Sequence, residues 1–151
     1  MRRTLRLTAT TVSVWLAVLA ILLLPDALMI TGHDGDLVHV LDLVYRWIEG
    51  DRPHLDYITP LGVLTIWPIA AFVEMGYGPG LAFRLAQATV TAAFLPLILW
   101  AALSRLGAGL AYGFASAMVL LSMALDFGGD VPSLSVSKYN NRWAWELASI
   151  L

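Results

Sequence analysis

The chain has no cysteine. Disulfides, thiolate metal sites and cysteine nucleophiles are therefore excluded. Charge is scarce: 13% of the 151 residues are Asp, Glu, Lys or Arg, against about 25% in a soluble domain. The net charge of −2 supplies no basic footprint, so no nucleic-acid partner is expected. No internal repeat or low-complexity tract is visible. What is plentiful is apolar: 59% hydrophobic residues and a mean hydropathy of +0.75. A soluble core of this length could not hide so much apolar surface. The composition is that of an all-α membrane protein in contact with lipid.

Runs free of charge locate the spans. Leu7 to Pro25 is 19 residues, and Leu85 to Ser104 and Leu106 to Leu125 are 20 each. A membrane helix needs roughly 20 apolar residues to cross about 30 Å of hydrocarbon. Arg2, Arg3 and Arg6 precede the first run, which places the N-terminus in the cytoplasm. "PDALMITG" offers no small-x-small cleavage site, so the first run reads as a retained anchor rather than a signal peptide. The expected layout is one integral domain of the bacterial cell membrane. It has a tail at 1–6, spans at 7–30, 81–104 and 106–125, and outward loops at 31–80 and 126–142. "WAWELASIL" at 143–151 reads as the start of a fourth span. That ending suggests the N-terminal piece of a longer protein, or a truncated gene model.

Leu61 to Val73 is ambiguous: 13 uncharged residues containing Pro68 and ending at Glu74. Runs this short more often lie at the interface or re-enter than cross. If the segment does not cross, Arg105 is cytoplasmic, and Asp126 and Asp130 face outward. If it crosses, all three change sides.

The polar chemistry is gathered in "TGHDGDLVHVLDLVYRWIEGDRPHLDYITPLG", Thr31 to Gly62. It holds all three histidines and six of the eleven acids. Asp36 to Glu49 has helical periodicity. Leu37, Val40, Leu41, Val44, Trp47 and Ile48 share one face, and His39, Asp42, Arg46 and Glu49 the other. Gly50 is a natural stop. Such a helix, following a span, is expected to lie along the membrane surface. Asp36 reads as an N-cap, Asp34 as an Asx-turn with Gly35, and Asp56 as a buried turn aspartate. Arg46 with Asp42 or Glu49 reads as a surface ion pair. His33, Asp34, Asp36 and His39 are of the right type for a divalent metal, but their spacing matches no ligand pattern.

Basic residues and one span, then "HDGDLVHVLDLVYRWIEGDRPHLDYITPLG", a short apolar segment, the glycine turn "GYGPG" and "AFRLAQATV" form a sequence of parts. This series resembles the start of the GT-C glycosyltransferases, including family 39. These multi-spanning enzymes take a sugar from a polyprenyl phosphate. The family's first outward loop carries an acidic motif, usually Asp-Glu, ahead of a membrane-surface helix. Here Leu37 follows Asp36 and Gly35 follows Asp34, so the glutamate is missing. The resemblance implies a polyprenyl-phosphate sugar donor, an acceptor of unassigned identity, and a short helix that does not cross. It also implies a carboxylate base at Asp36, with Asp34 next. Asp126 or Asp130 would orient the acceptor or a metal. Arg84 is the candidate for the phosphate, and Asp56, in the turn, is counted with the substrate-binding positions. The rival class is a non-enzymatic membrane protein, either a transporter component or a small anchor. Polar groups inside spans would mark a transport route, and here the spans hold only Gln87 with scattered Ser and Thr.

Overall fold

The computed structural model describes residues 2–24 and 34–123. These residues form five helices and no strands: α1 (Arg2–Leu23), α2 (Asp34–Glu49), α3 (Val63–Glu74), α4 (Pro79–Arg105) and α5 (Ala108–Met123). Two helices are long and apolar enough to cross a membrane, α1 with 22 residues and α4 with 27. At 1.5 Å per residue they rise about 33 Å and about 40 Å. The described part of α5 has 16 residues, about 24 Å. Helix α1 begins at Arg2 and carries all three arginines in its first turns.

The chain divides into two compact units. One holds α1, α4 from Gln87 onward, and α5. In it α1 packs against α5. Leu7 and Thr11, four residues apart on one stripe of α1, are fully buried. The buried stripe of α5 is small-sided at Ala111 and Ala115 and fuller at Met118 and Val119. Polar groups in this unit are paired. Gln87 Nε2 donates to the Ser122 carbonyl at 2.9 Å, and Trp15 Nε1 donates to the Ala88 carbonyl at 3.1 Å. Buried hydroxyls donate within their own helices, Thr11 to Leu7 and Thr91 to Gln87. Such bonds satisfy groups that would otherwise be costly in an apolar interior.

The other unit holds α2, α3 and α4 up to Ala86. Here α2 packs against α3. Leu37, Val40, Leu43 and Val44 are the buried face of α2, and Ile66, Ile69 and Ala70 that of α3. Leu43 was not among the expected face residues, while Leu41, Trp47 and Ile48 are only half-buried. With 12 residues, α3 rises about 18 Å, well short of a hydrocarbon core. Pro68 sits inside it and removes the N–H that would reach Leu64.

Both helices end in the same way. Gly50 (φ +101°) donates to Trp47 O and Asp51 to Arg46 O; Gly76 (φ +92°) donates to Val73 O and Tyr77 to Phe72 O. These are Schellman ends, in which a left-handed glycine satisfies the last carbonyls. Their accompanying side-chain contacts differ: an Arg46–Asp51 ion pair at 4.0 Å after α2, and a Phe72–Tyr77 edge-to-face ring contact at 6.1 Å after α3. His54 also has positive φ, +67°, without glycine's freedom. A side chain in this region costs about 1–2 kcal/mol. Gly50→Ala is therefore expected to destabilise this unit by about that much, and His54→Gly to leave it unchanged or stabilise it. Circular-dichroism melts in detergent check the pair; the opposite ranking would contradict the strain argument.

Candidate functional site

The acids expected to carry chemistry fall at two ends of α2. The helix starts at Asp34 rather than Asp36, so Asp34 and Asp36 are its first and third residues. Asp36 is thus inside the first turn and not the N-cap. A carboxylate in the first turn is favoured by the helix dipole, worth about 0.3–1 kcal/mol. Both acids belong to the first turn of α2, the helix that packs on α3.

Asp56 lies beyond the other end. From Asp36 to Gly50 the axis rises about 21 Å. A ligand touching both Asp36 and Asp56 would have to run the length of α2. Asp56 was expected to be buried; it is exposed. Its carboxylate accepts the Arg52 N–H at 2.7 Å, while its own N–H donates to Arg52 O at 2.9 Å. This reciprocal pair closes a turn in the chain around Pro53 and His54.

Arg46 organises that end. Its guanidinium bonds Asp42 at 3.0 Å one turn earlier, approaches Asp51 at 4.0 Å, and stacks 5.5 Å from the Tyr57 ring centre. The ion pairs are solvent-exposed and worth little individually. Their value here is to fix the loop against the helix. The Tyr57 hydroxyl is enclosed and finds no hydrogen-bond partner among the described residues. Burial, then the Asp51 carboxylate, pushes its phenol above the ordinary value; Arg46 pulls the other way. The phenol therefore stays protonated at neutral pH. Sequence reasoning missed this Arg46–Tyr57 pairing, because the residues are eleven apart and belong to different periodic patterns.

Arg84, the candidate for a phosphate, is buried in the first turns of α4, where its Nε donates to Gly80 O at 3.1 Å. That bond ties it to its own helix. Asp126 and Asp130 lie outside the described residues, as do His33 and the onset of the expected fourth span. Among the described residues, no three His, Cys, Asp or Glu side chains converge as a metal site.

Outside this region α3 and α4 carry exposed or half-exposed tryptophans. Trp100 is half-exposed, with the Arg105 guanidinium 5.4 Å from its ring centre. Trp67 is exposed on α3. No family model, curated protein or solved structure matches the chain.

Proposed function

We propose that the chain is the N-terminal part of a membrane glycosyltransferase of GT-C type, which moves a sugar from a polyprenyl phosphate to an acceptor hydroxyl at the outer membrane face. The observation that carries the reading is the α2–α3 pair. It stands between two helices fit to span, has two acids in its first turn, and exposes apolar side chains. Leu64 is 76% exposed and Trp67 52%, three residues apart on α3, and Ile58 in the preceding loop is 97% exposed. Side chains of this size facing water would be an aggregation hazard; against lipid they anchor the pair at the surface. The apolar residues of α1 that face outward, Leu5, Leu16 and Ile21, support a lipid environment in the same way.

The chemistry needs an interfacial site because the donor's tail is in lipid and its phosphate in water. A carboxylate takes the proton from the acceptor hydroxyl. The hydroxyl oxygen then forms a bond to the anomeric carbon as the bond to phosphate breaks. The phosphate leaves with that electron pair, and direct displacement inverts the anomeric centre. Asp36 is assigned as the base, with Asp34 as the second candidate. The non-enzymatic alternative has less support. Gln87, the polar side chain that a transport route would use, is bonded to the Ser122 carbonyl.

The reading requires α3 to remain on one side. The chain has no cysteine, so single cysteines report topology cleanly. Ile58→Cys and Gly107→Cys are suitable, since both positions are exposed and a side chain at Gly107 meets nothing within 4 Å. An impermeant maleimide is expected to label Ile58→Cys in intact cells and Gly107→Cys only after lysis. Labelling of Gly107→Cys from outside would mean that α3 crosses, and would put the assigned acids of the two loops on opposite faces.

A further inference from the structure

The basic cluster at the start of α1 has no role in that chemistry. Arg2, Arg3 and Arg6 are spaced so that Arg2 and Arg6, and Arg3 and Arg6, share one stripe of the helix. Ala108 and Tyr112, also four apart, share a stripe at the start of α5. Together these five residues line a cavity of about 470 Å³ within the α1–α5 unit. Its lining residues are three arginines, a tyrosine and an alanine, with no acidic residue among them.

The cluster is held in place. Arg3 Nη2 donates to the Leu106 carbonyl at 2.7 Å, clipping α1 to the turn between α4 and α5. One residue below Arg6, Leu7 is fully buried and the apolar run begins. The first-turn amides of α5 open beside Ala108, and the positive end of its dipole adds to the arginine charge. A cavity lined by three arginines, at the mouth of an apolar helix pair, fits a phosphate whose attached chains lie along apolar helix surface. Guanidinium groups recognise phosphate through forked N–H donors.

We infer that Arg2, Arg3, Arg6, Tyr112 and the α5 N-terminus form a binding site for the phosphodiester headgroup of an anionic phospholipid. The inference rests on the membrane reading of α1 and α4, and not on sugar transfer. The α1 apolar surface below the site favours a lipid over a free phosphate ion.

The test titrates the full chain, purified in a neutral detergent, with phosphatidylglycerol and separately with phosphatidylcholine, reading bound lipid by native mass spectrometry. Phosphatidylglycerol is expected to bind at least tenfold tighter. Each arginine replaced by glutamine is expected to weaken it about fivefold, and the triple variant about a hundredfold, with phosphatidylcholine binding unchanged. Ala108→Glu keeps all three arginines, and a carboxylate suits a helix start. It should lower phosphatidylglycerol binding several-fold without loss of helix by circular dichroism. Equal binding of the two lipids, or insensitivity to both sets of substitutions, overturns the site. Full competition by millimolar inorganic phosphate overturns the lipid assignment in favour of a free anion. A chain that stays in solution without detergent overturns the membrane reading, and the site with it.

Discussion

Replacing Asp36 with asparagine is expected to lower sugar transfer by the intact protein about 10²–10⁴-fold, the usual contribution of a positioned general base. Membrane insertion and helix content should be unchanged. The substitution keeps size and hydrogen-bonding shape but removes the charge that accepts the proton. The dipole interaction of a first-turn carboxylate is worth about 0.3–1 kcal/mol, small against the expected loss of transfer. Asp42→Asn is the matched control. Asp42 is exposed on the same helix and pairs only at the surface with Arg46, so transfer should change less than twofold. Asp34→Asn should have an intermediate effect, since it neighbours the same turn. Transfer rates with a polyprenyl-phosphate sugar decide the matter. Full activity in Asp36→Asn removes that residue from the chemistry, and a loss in Asp42→Asn instead moves the site down the helix.

How far the sequence could be read follows from what kind of information periodicity carries. The periodicity of "DLVHVLDLVYRWIE" located α2 to within two residues of its start, and Gly50 gave its end, because a glycine stop is a local backbone requirement. The exposed polar face of His39, Asp42, Arg46 and Glu49 was equally legible. The centre of the buried stripe was not. A 3.6-residue period gives an apolar arc more than about 100° wide. Which edge of the arc is covered depends on where α3 approaches, and that approach buries Leu43 in place of Leu41. At the N-terminus the three arginines gave no helix signal, yet α1 runs through them. The turn aspartate was found as a turn residue, but its exposure depends on how the loop lies. Contacts between distant positions had no signal at all. Arg3 meets Leu106 across 103 residues, and Trp15 meets Ala88 across 73. Single-sequence patterns describe faces, not the partners of faces.

Ile69→Asp is expected to dissolve the α2–α3 pair while leaving the chain in the membrane. Ile69 is fully buried at the centre of α3, among Ile66, Ala70 and the buried side of α2. Removing its packing alone would cost about 2–5 kcal/mol, and an unpaired carboxylate in that place costs more. The α2–α3 pair has few other fully buried side chains to offset this, whereas α1 and α4 retain the length and apolarity to insert. Leu43→Cys is a suitable reporter, because position 43 is 2% exposed in the packed pair. Its thiol should react slowly in the parent background and at least about 10²-fold faster with Ile69→Asp, the change expected for a loss of about 3 kcal/mol in local opening. Leu64→Asp supplies the contrast. Leu64 belongs to the exposed face, so the thiol should stay protected while surface anchoring weakens. Equal protection in all three chains would mean that the buried face of α2 is covered by something other than α3. The packing of α2 on α3 would then not be what supports the first turn of α2.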